Sequence, residues 1–406
     1  PGARLRSADQ EIDEDMTMTD EHNGLARAER LYRDRALRAR ELKEGGARLM
    51  GYLCLYPPVE LMTALGFVPF RVFGDRRQPV TEGNRVLMPA VCPFLRSLID
   101  LGMKGQYAFL DGLVGAHICD VGSMSVHLWR DYVTAPAFVH FLDVPHTVHA
   151  PALDFFRTQI EILLKDLEGL SGRRLDGTAL RAAITAHNRQ RALLRDLYDL
   201  RRTVPPRLTG VEAQRAALAV TGLPVEEGND LLAAVIAEVR QRPLPAPSGA
   251  PRLLVWGSVI DDTSLFELVA AAGAEVVTDD ICVGTRAFST DVETEGDPLT
   301  ALARHYLADI RCPRTYRQAD DAGGRPYRED LEARFGYLAP LIRDWRVDGV
   351  ILQSVMYCDT HGYEIPAVRD YLNGLGVRNF YLEHDYSDGS RQQVRTRVEA
   401  FVEMLR

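Results

Sequence analysis

The sequence predicts an α/β protein made of two parallel-sheet domains with a helical segment between them. Three observations predict it. Short apolar runs alternate with Gly-terminated amphipathic stretches over residues 48–150, and again over residues 250–406, as strands and their covering helices do. Residues 151–245 instead carry apolar positions at helical spacing. The stretch RPLPAPSGAP separates that segment from the second α/β region, and its Pro and Gly content reads as a linker.

Residues 1–47 read as a polar lead followed by one helix, GLARAERLYRDRALRARELKEGG, which stops at a Gly pair. LMGYLCLY is a buried strand. PPVELMTALG is a helix with Pro at its start and Gly at its end. FVPFRVFGD is the second strand. CPFLRSLIDLG is a helix, YAFLDGLVGAH a strand, CDVGSMSVHLWRDYV a helix and AFVHFLDVP a strand. Both faces of this sheet are expected to be covered. Three helices follow, within LDFFRTQIEILLKDLEGLSG, LDGTALRAAITAHNRQRALLRDLYDLRR and VEEGNDLLAAVIAEVRQ. Past the linker come the strand RLLVWGS, the helix TSLFELVAAAG and the strand AEVVTDD. A mixed stretch over 282–325 precedes the helix REDLEARFGYLAPLIRDW. DGVILQS, EIPAVRDYLNGLG, NFYLEHD and SRQQVRTRVEAFVEMLR then read as strand, helix, strand and helix.

The chain has 406 residues, 46% of them hydrophobic, with a net charge of −9. That composition is globular. The negative charge and the lack of a basic stripe argue against nucleic acid as a partner. No apolar run has the length of a membrane span, and the polar start has no signal-peptide core. The expectation is a cytoplasmic protein.

There are six cysteines: Cys54, Cys92, Cys119, Cys282, Cys312 and Cys358. In a reducing compartment they are not a disulfide framework. No pair has CxxC spacing, which weighs against a zinc ribbon without removing zinc. The bland reading is six small buried hydrophobes. Position weighs against it. Cys119, Cys282 and Cys358 follow predicted strands, and ligands bind beyond the carboxyl ends of strands in open α/β sheets. Cys54 lies in or at the end of the first strand, and Cys312 in the loop IRCPRTYR. Cys92 and Cys119 precede helices, where free N–H groups favour a thiolate. Thiolates converging from separated loops are what a cubane iron–sulfur cluster needs.

At these residues the chain resembles the iron–sulfur subunits of the 2-hydroxyacyl-CoA dehydratase and benzoyl-CoA reductase family. The blocks that carry the resemblance are GYLCLYPPVELMTALGFVPFRV, CPFLRSLIDLGMKGQYAFLDGLVGAHICD, DVETEGDPLTALARHYL, DGVILQSVMYCDTHGYEIPAVRDYL and YLEHDYSDGSRQQVRTRVEAFVEML. They run from about residue 48 to the end, and together they are specific. The resemblance implies two flavodoxin-like domains with a 4Fe-4S cluster at their interface, held by Cys92, Cys119 and Cys358. It implies radical dehydration of a 2-hydroxyacyl-CoA or reduction of an aryl-CoA. It implies an ATP-hydrolysing iron–sulfur activator protein as electron donor, a CoA-thioester substrate, and a homologous second subunit or a homodimer. One-electron attack on a thioester is too uphill for ordinary donors, so the cofactor carries the chemistry and ATP hydrolysis the drive. A related branch, the double-cubane reductases, binds an 8Fe-9S cluster through further cysteines. Cys54, Cys282 and Cys312 lie in blocks where that branch also carries cysteines. The Cys358 block looks more like the CoA-thioester branch. A rival of another class is a non-catalytic α/β binding protein with free thiols.

Three further residues are candidates for catalysis, each with a plainer role beside it. Glu60 in PPVEL is an acid–base group near substrate, or a charge favourable to its helix dipole. His117 is a proton donor near the cluster, or a polar residue ending a strand. His361 flanks Cys358 together with Asp359 and Thr360, and supports the cluster from behind its ligands. Ser123, Ser125 and His127 read as packing or solvated residues, and Asp385 and Tyr386 as contacts to substrate or partner or, more plainly, as turn residues. Trp256, Gly257 and Ser258 end a strand and could line a pocket.

Overall fold

Each region of alternating apolar runs forms a four-stranded, all-parallel sheet in the computed structural model, which describes residues 23–246, 248–317 and 326–406. The polar lead up to residue 22 and the last part of the 282–325 stretch lie outside the described residues. The first sheet contains β1 (Arg48–Leu53), β2 (Phe67–Arg71), β3 (Gly112–Ala116) and β4 (Phe138–Leu142), in the order β2-β1-β3-β4. The second contains β5 (Arg252–Gly257), β6 (Glu275–Asp280), β7 (Gly349–Val355) and β8 (Arg378–His384), in the order β6-β5-β7-β8. The two orders are the same when each sheet is counted from its own first strand. Each chain path reverses beside its first strand, so a crevice opens at the carboxyl ends of β1 and β3 and again at those of β5 and β7.

Both sheets are buried as parallel sheets require. β3, β5 and β7 have no exposed residue. One apolar core joins the halves. It includes Leu49, Leu53 and Leu113 from the first sheet and Leu253, Val255 and Ile351 from the second.

The helical segment spans Ala150–Ser171, Gly177–Asp199, Gly210–Ala219 and Val225–Gln241. The sequence reading lacks the third of these helices. Its start is nonetheless written locally as a capping box. Thr209 Oγ1 accepts from the Glu212 N–H at 3.1 Å, and the Glu212 carboxylate accepts from the Thr209 N–H at 3.0 Å.

Three predicted elements differ in extent. The N-terminal helix is two helices, Gly24–Arg33 and Leu37–Glu44. The break comes where the Asp34 carboxylate accepts from the Ala36 N–H at 3.2 Å, a side-chain bond that competes with the helix. The first of the pair buries Ala28 and Leu31 among the residues of the helical segment. The strand read over YAFLDGLVGAH begins only at Gly112, with turns before it. The helix read over 328–345 is two, Tyr327–Phe335 and Leu338–Asp344, divided at Gly336. No helix among the described residues is long and apolar enough to cross a membrane.

Candidate functional site

All six cysteines line one cavity of about 740 Å³ between the carboxyl ends of the two sheets. All six are free thiols, and Cys92, Cys282 and Cys312 are buried. Apolar side chains make up much of the remaining wall, among them Leu53, Val72, Phe73, Phe94, Ile118 and Val355.

Local structure delivers each thiol. Cys92 is the N-cap of the helix Pro93–Met103, with Pro in the first helical position, where its missing N–H costs nothing. Cys119 is the N-cap of the helix Asp120–Tyr132, and its sulfur accepts from the Gly122 N–H at 3.3 Å. Gly122 suits the position, since a Cβ there would stand 2.2 Å from Ile118 Cγ1 and force that side chain to shift. Cys358 precedes a single helical turn, Asp359–Gly362, and its sulfur lies 3.6 Å from His361 Nδ1. Cys54 follows β1 with a positive φ of 77°, and Tyr357, just before Cys358, has φ 59°. Neither is glycine. Such strain persists only where the surroundings over-determine it, and it clusters at functional sites. Cys282 follows β6 in a turn, and Cys312 opens a turn in which the Thr315 N–H bonds back to its carbonyl at 3.0 Å.

The thiols sort into two triads by their electrostatic influence on one another. Cys54 responds to Cys282 and Cys312, whereas Cys358 responds to Cys92 and Cys119 and, more weakly, to Cys282. Burial pushes the Cys54 and Cys92 thiols up to about 12. Burial raises Cys119, Cys282 and Cys358 as well. Without a bound cation these groups are thiols, and a metal would have to displace their protons.

Three buried arginines stand at the second triad. Arg71 Nη1 donates to the Cys282 carbonyl at 2.8 Å. Arg286 is clamped on the Asp280 carboxylate at 3.0 and 3.1 Å, and its Nη1 lies 3.6 Å from Cys282 Sγ and 3.3 Å from His361 Nε2. Arg314 donates to the carbonyls of Val144 and Pro145 and lies over the Tyr56 ring. The sequence reading did not single out any of them. Arg71 alone left a signal there, as a charge flanked on both sides by apolar strand residues.

The candidate acid–base residues part company in space. His361 is buried in the cavity wall, and burial together with Arg286 pushes its imidazole far below the ordinary range, so the ring is neutral. Glu60 lies outside this cavity. It is fully buried, ion-paired with Arg191 at 2.5 Å, and accepts from Tyr306 Oη at 2.7 Å. Burial alone would raise its carboxyl, but Arg191 and His187 hold it at about 2. Arg191 and Tyr306 line a second cavity of about 820 Å³, which shares Arg71 with the first. His117 stays half-buried beside Cys119's strand end, bonded through Nδ1 to Asp143 at 2.8 Å, and does not line the cavity.

The flanking residues divide similarly. Thr360 and Ser258 line the cavity. Ser123 and Ser125 bond back to their own helix, and Asp385 accepts from Ser387 and Ser390 in a turn. Tyr386 is buried and donates to Asp261 at 2.6 Å.

The donor set decides what the cavity suits. Among the described residues, no three His, Cys, Asp or Glu side chains converge tightly enough to hold a single metal ion. A tetrahedral zinc site would need that convergence. Ligands of a multi-iron cluster bind different irons and stand farther apart. Six thiols in a largely apolar cavity, with buried cations nearby, are a donor set that fits an anionic iron–sulfur cluster.

The sequence matches the model of the family "2-hydroxyglutaryl-CoA dehydratase, D-component" over residues 54–405. A subunit of the benzoyl-CoA reductase of Thauera aromatica is 27% identical over 395 residues, covering 94% of this chain and 98% of the relative. Lactoyl-CoA dehydratase subunit beta of Anaerotignum propionicum is 22% identical, covering 89% and 93%. (R)-2-hydroxyglutaryl-CoA dehydratase subunit beta of Acidaminococcus fermentans is 21% identical, covering 89% and 94%. The match takes in every strand but β1, the helical segment and every cysteine of the cavity, and on that basis the chain belongs to the 2-hydroxyglutaryl-CoA dehydratase D-component family.

Proposed function

We propose that this protein is the iron–sulfur subunit of an enzyme that performs radical dehydration of a 2-hydroxyacyl-CoA or reduction of an aryl-CoA thioester. The observation that carries the reading is the cavity at the two sheet ends, walled by six cysteines. Cys92, Cys119 and Cys358 would hold a 4Fe-4S cubane. That group, when bound, supplies one-electron chemistry at low potential. The protein's own part is orientation and exclusion. Helix N-termini fix Cys92 and Cys119. His361 supports the Cys358 sulfur while Arg286 holds the imidazole from its other side. Leu53, Val72, Phe94 and Val355 exclude water from the reacting centre. An ATP-hydrolysing iron–sulfur activator would supply the electron. The relatives are named as subunits, which supports a homologous partner or a second copy of this chain. Six free thiols suit the reducing cytoplasm.

The test is anaerobic turnover of the full chain with such an activator, ATP and a panel of hydroxyacyl- and aryl-CoA thioesters. Product formed only with activator and ATP supports the reading. A protein that stays colourless after anaerobic iron and sulfide reconstitution sinks it, and would favour a binding protein with free thiols.

A second reading has its own support. Cys54, Cys282 and Cys312 line the same cavity as the first triad, which favours a double-cubane 8Fe-9S cluster and reduction of a small molecule. Iron counting separates the two. About four irons per chain means one cubane, and about eight the double cluster.

A further inference from the structure

The two ends of the cavity differ in how they meet negative charge. At the Cys92, Cys119 and Cys358 end, the Cys119 sulfur accepts from a main-chain donor, the Gly122 N–H at 3.3 Å. At the other end there are guanidinium groups. Arg71 and Arg314 both line the cavity and are only 6% and 5% exposed. Their hydrogen bonds go to the carbonyls of Cys282, Val144 and Pro145, and from Arg314 also to His146 Nε2 at 3.4 Å, rather than to carboxylates. Among the described residues neither forms an ion pair. The Nε of Arg314 is buried without a partner. A buried cation is costly unless an anion answers it. Asp280 does answer Arg286, and in doing so aims one guanidinium nitrogen at Cys282 Sγ. Among the described residues, no group of opposite sign pairs with either of these two buried positive charges, which line the cavity together with the triad of thiols.

We propose that Arg71 and Arg314, with Arg286 aligned by Asp280, are positioning residues that hold negative charge at the Cys54, Cys282 and Cys312 end of the cavity, so that one-electron reduction occurs there at a less negative potential than at the Cys92, Cys119 and Cys358 end. The proposal rests on the reading that the second triad binds iron. The electron comes from an external one-electron donor, which is oxidised by one electron as this end is reduced by one. No bond to the protein breaks and no proton moves. The arginines also keep an anionic sulfur-bound group in place when it is oxidised, since their charge does not depend on the redox state.

The experiment is a potentiometric titration of the anaerobically reconstituted full chain, followed by electron paramagnetic resonance, with iron counted on the same sample. Wild type should show two resolved one-electron waves. Arg71→Met should move the less negative wave to more negative potential and leave the other in place, Arg71→Lys should return it most of the way, and Arg314→Met should repeat the shift from the opposite wall. Loss of half the iron in Arg71→Met that Arg71→Lys restores also supports the proposal, because charge alone then retains the second cluster. Both waves unmoved in a protein with about eight irons overturns the proposal alone. Iron loss in Arg71→Met and Arg71→Lys alike, with wild-type helicity, overturns it too, since shape and not charge would then matter. A wild-type chain with about four irons and one wave overturns the reading of the second triad and the proposal with it.

Discussion

Cys92 and Cys119 cap long helices and Cys358 a single helical turn, whereas Cys54, Cys282 and Cys312 sit on turns braced by buried arginines. The first triad is organised by local backbone: all three cysteines are helix N-caps, and the Cys119 sulfur accepts from an N–H of its own helix. The second is organised at long range. Arg71 reaches from β2 to a turn beyond β6, and Glu60, on the helix after the Cys54 turn, is pinned by Arg191 of the helical segment and Tyr306 of a π-helical turn. A triad built from caps depends on few residues outside its own segments. A triad built from buried charge fails when any distant partner fails.

The largest effect is expected from the capped triad. Cys119→Ser should abolish the cluster and lower turnover with the activator by at least about 100-fold. Iron content and turnover measured on one anaerobic preparation check it, and full iron with full turnover would remove Cys119 from the ligand set. Cys282→Ser makes the contrast quantitative. On the reading that the second triad binds iron, it should leave about four irons per chain against about eight in wild type. An unchanged count would mean that the arginine-braced triad binds no iron.

The long-range bracing can be attacked without touching a cysteine. Glu60→Gln leaves Arg191 buried without its anion, and should cost about 3–5 kcal/mol in denaturant unfolding. The pH dependence follows from the same pair. Glu60 is held at about 2, below its ordinary value of 4.5, so its contribution is complete above the ordinary carboxylate range and is lost as pH falls toward 2. The acid limb of the wild-type stability curve should therefore be steeper between those values than that of Glu60→Gln, as followed by circular dichroism. Equal slopes would mean that the pair adds nothing to folding.

The smallest effect is expected at a cap. In Gly122→Ala the new methyl group would meet Ile118, at a cost of about 1–3 kcal/mol. Because the N–H of residue 122 supports the Cys119 sulfur, the same variant should disturb the capped triad's spectrum and leave the other alone. A thermal melt and the iron–sulfur absorbance read the two effects separately.

The parts of this molecule that were legible in the sequence are those with local causes. Alternating apolar runs and Gly stops give both sheets, and the pairing orders then match. Cys92 before Pro93, and Cys119 before a helical pattern, could be read as caps from a few neighbouring letters. The breaks at Asp34 and Gly336 were hidden because apolar spacing continues across them, while the competing side-chain bond or glycine acts on single residues. Glu60 was read near the cysteines because it follows Cys54 closely along the chain. Its side chain instead joins Arg191, a residue 131 positions away.

The sequence, through periodicity, punctuation and thiol placement, carries the α/β class, the strand inventory and the family to which the chain belongs, since each rests on near neighbours or on ordered blocks of letters. Only the tertiary structure decided that all six cysteines share one cavity, that they divide into a capped triad and a cation-braced one, and that Arg71 stands between two cavities. The physical reason is reach. A helix cap acts over one turn of chain, but a buried charge is satisfied by whatever the fold brings within a few ångströms, and no local pattern records which residue that is.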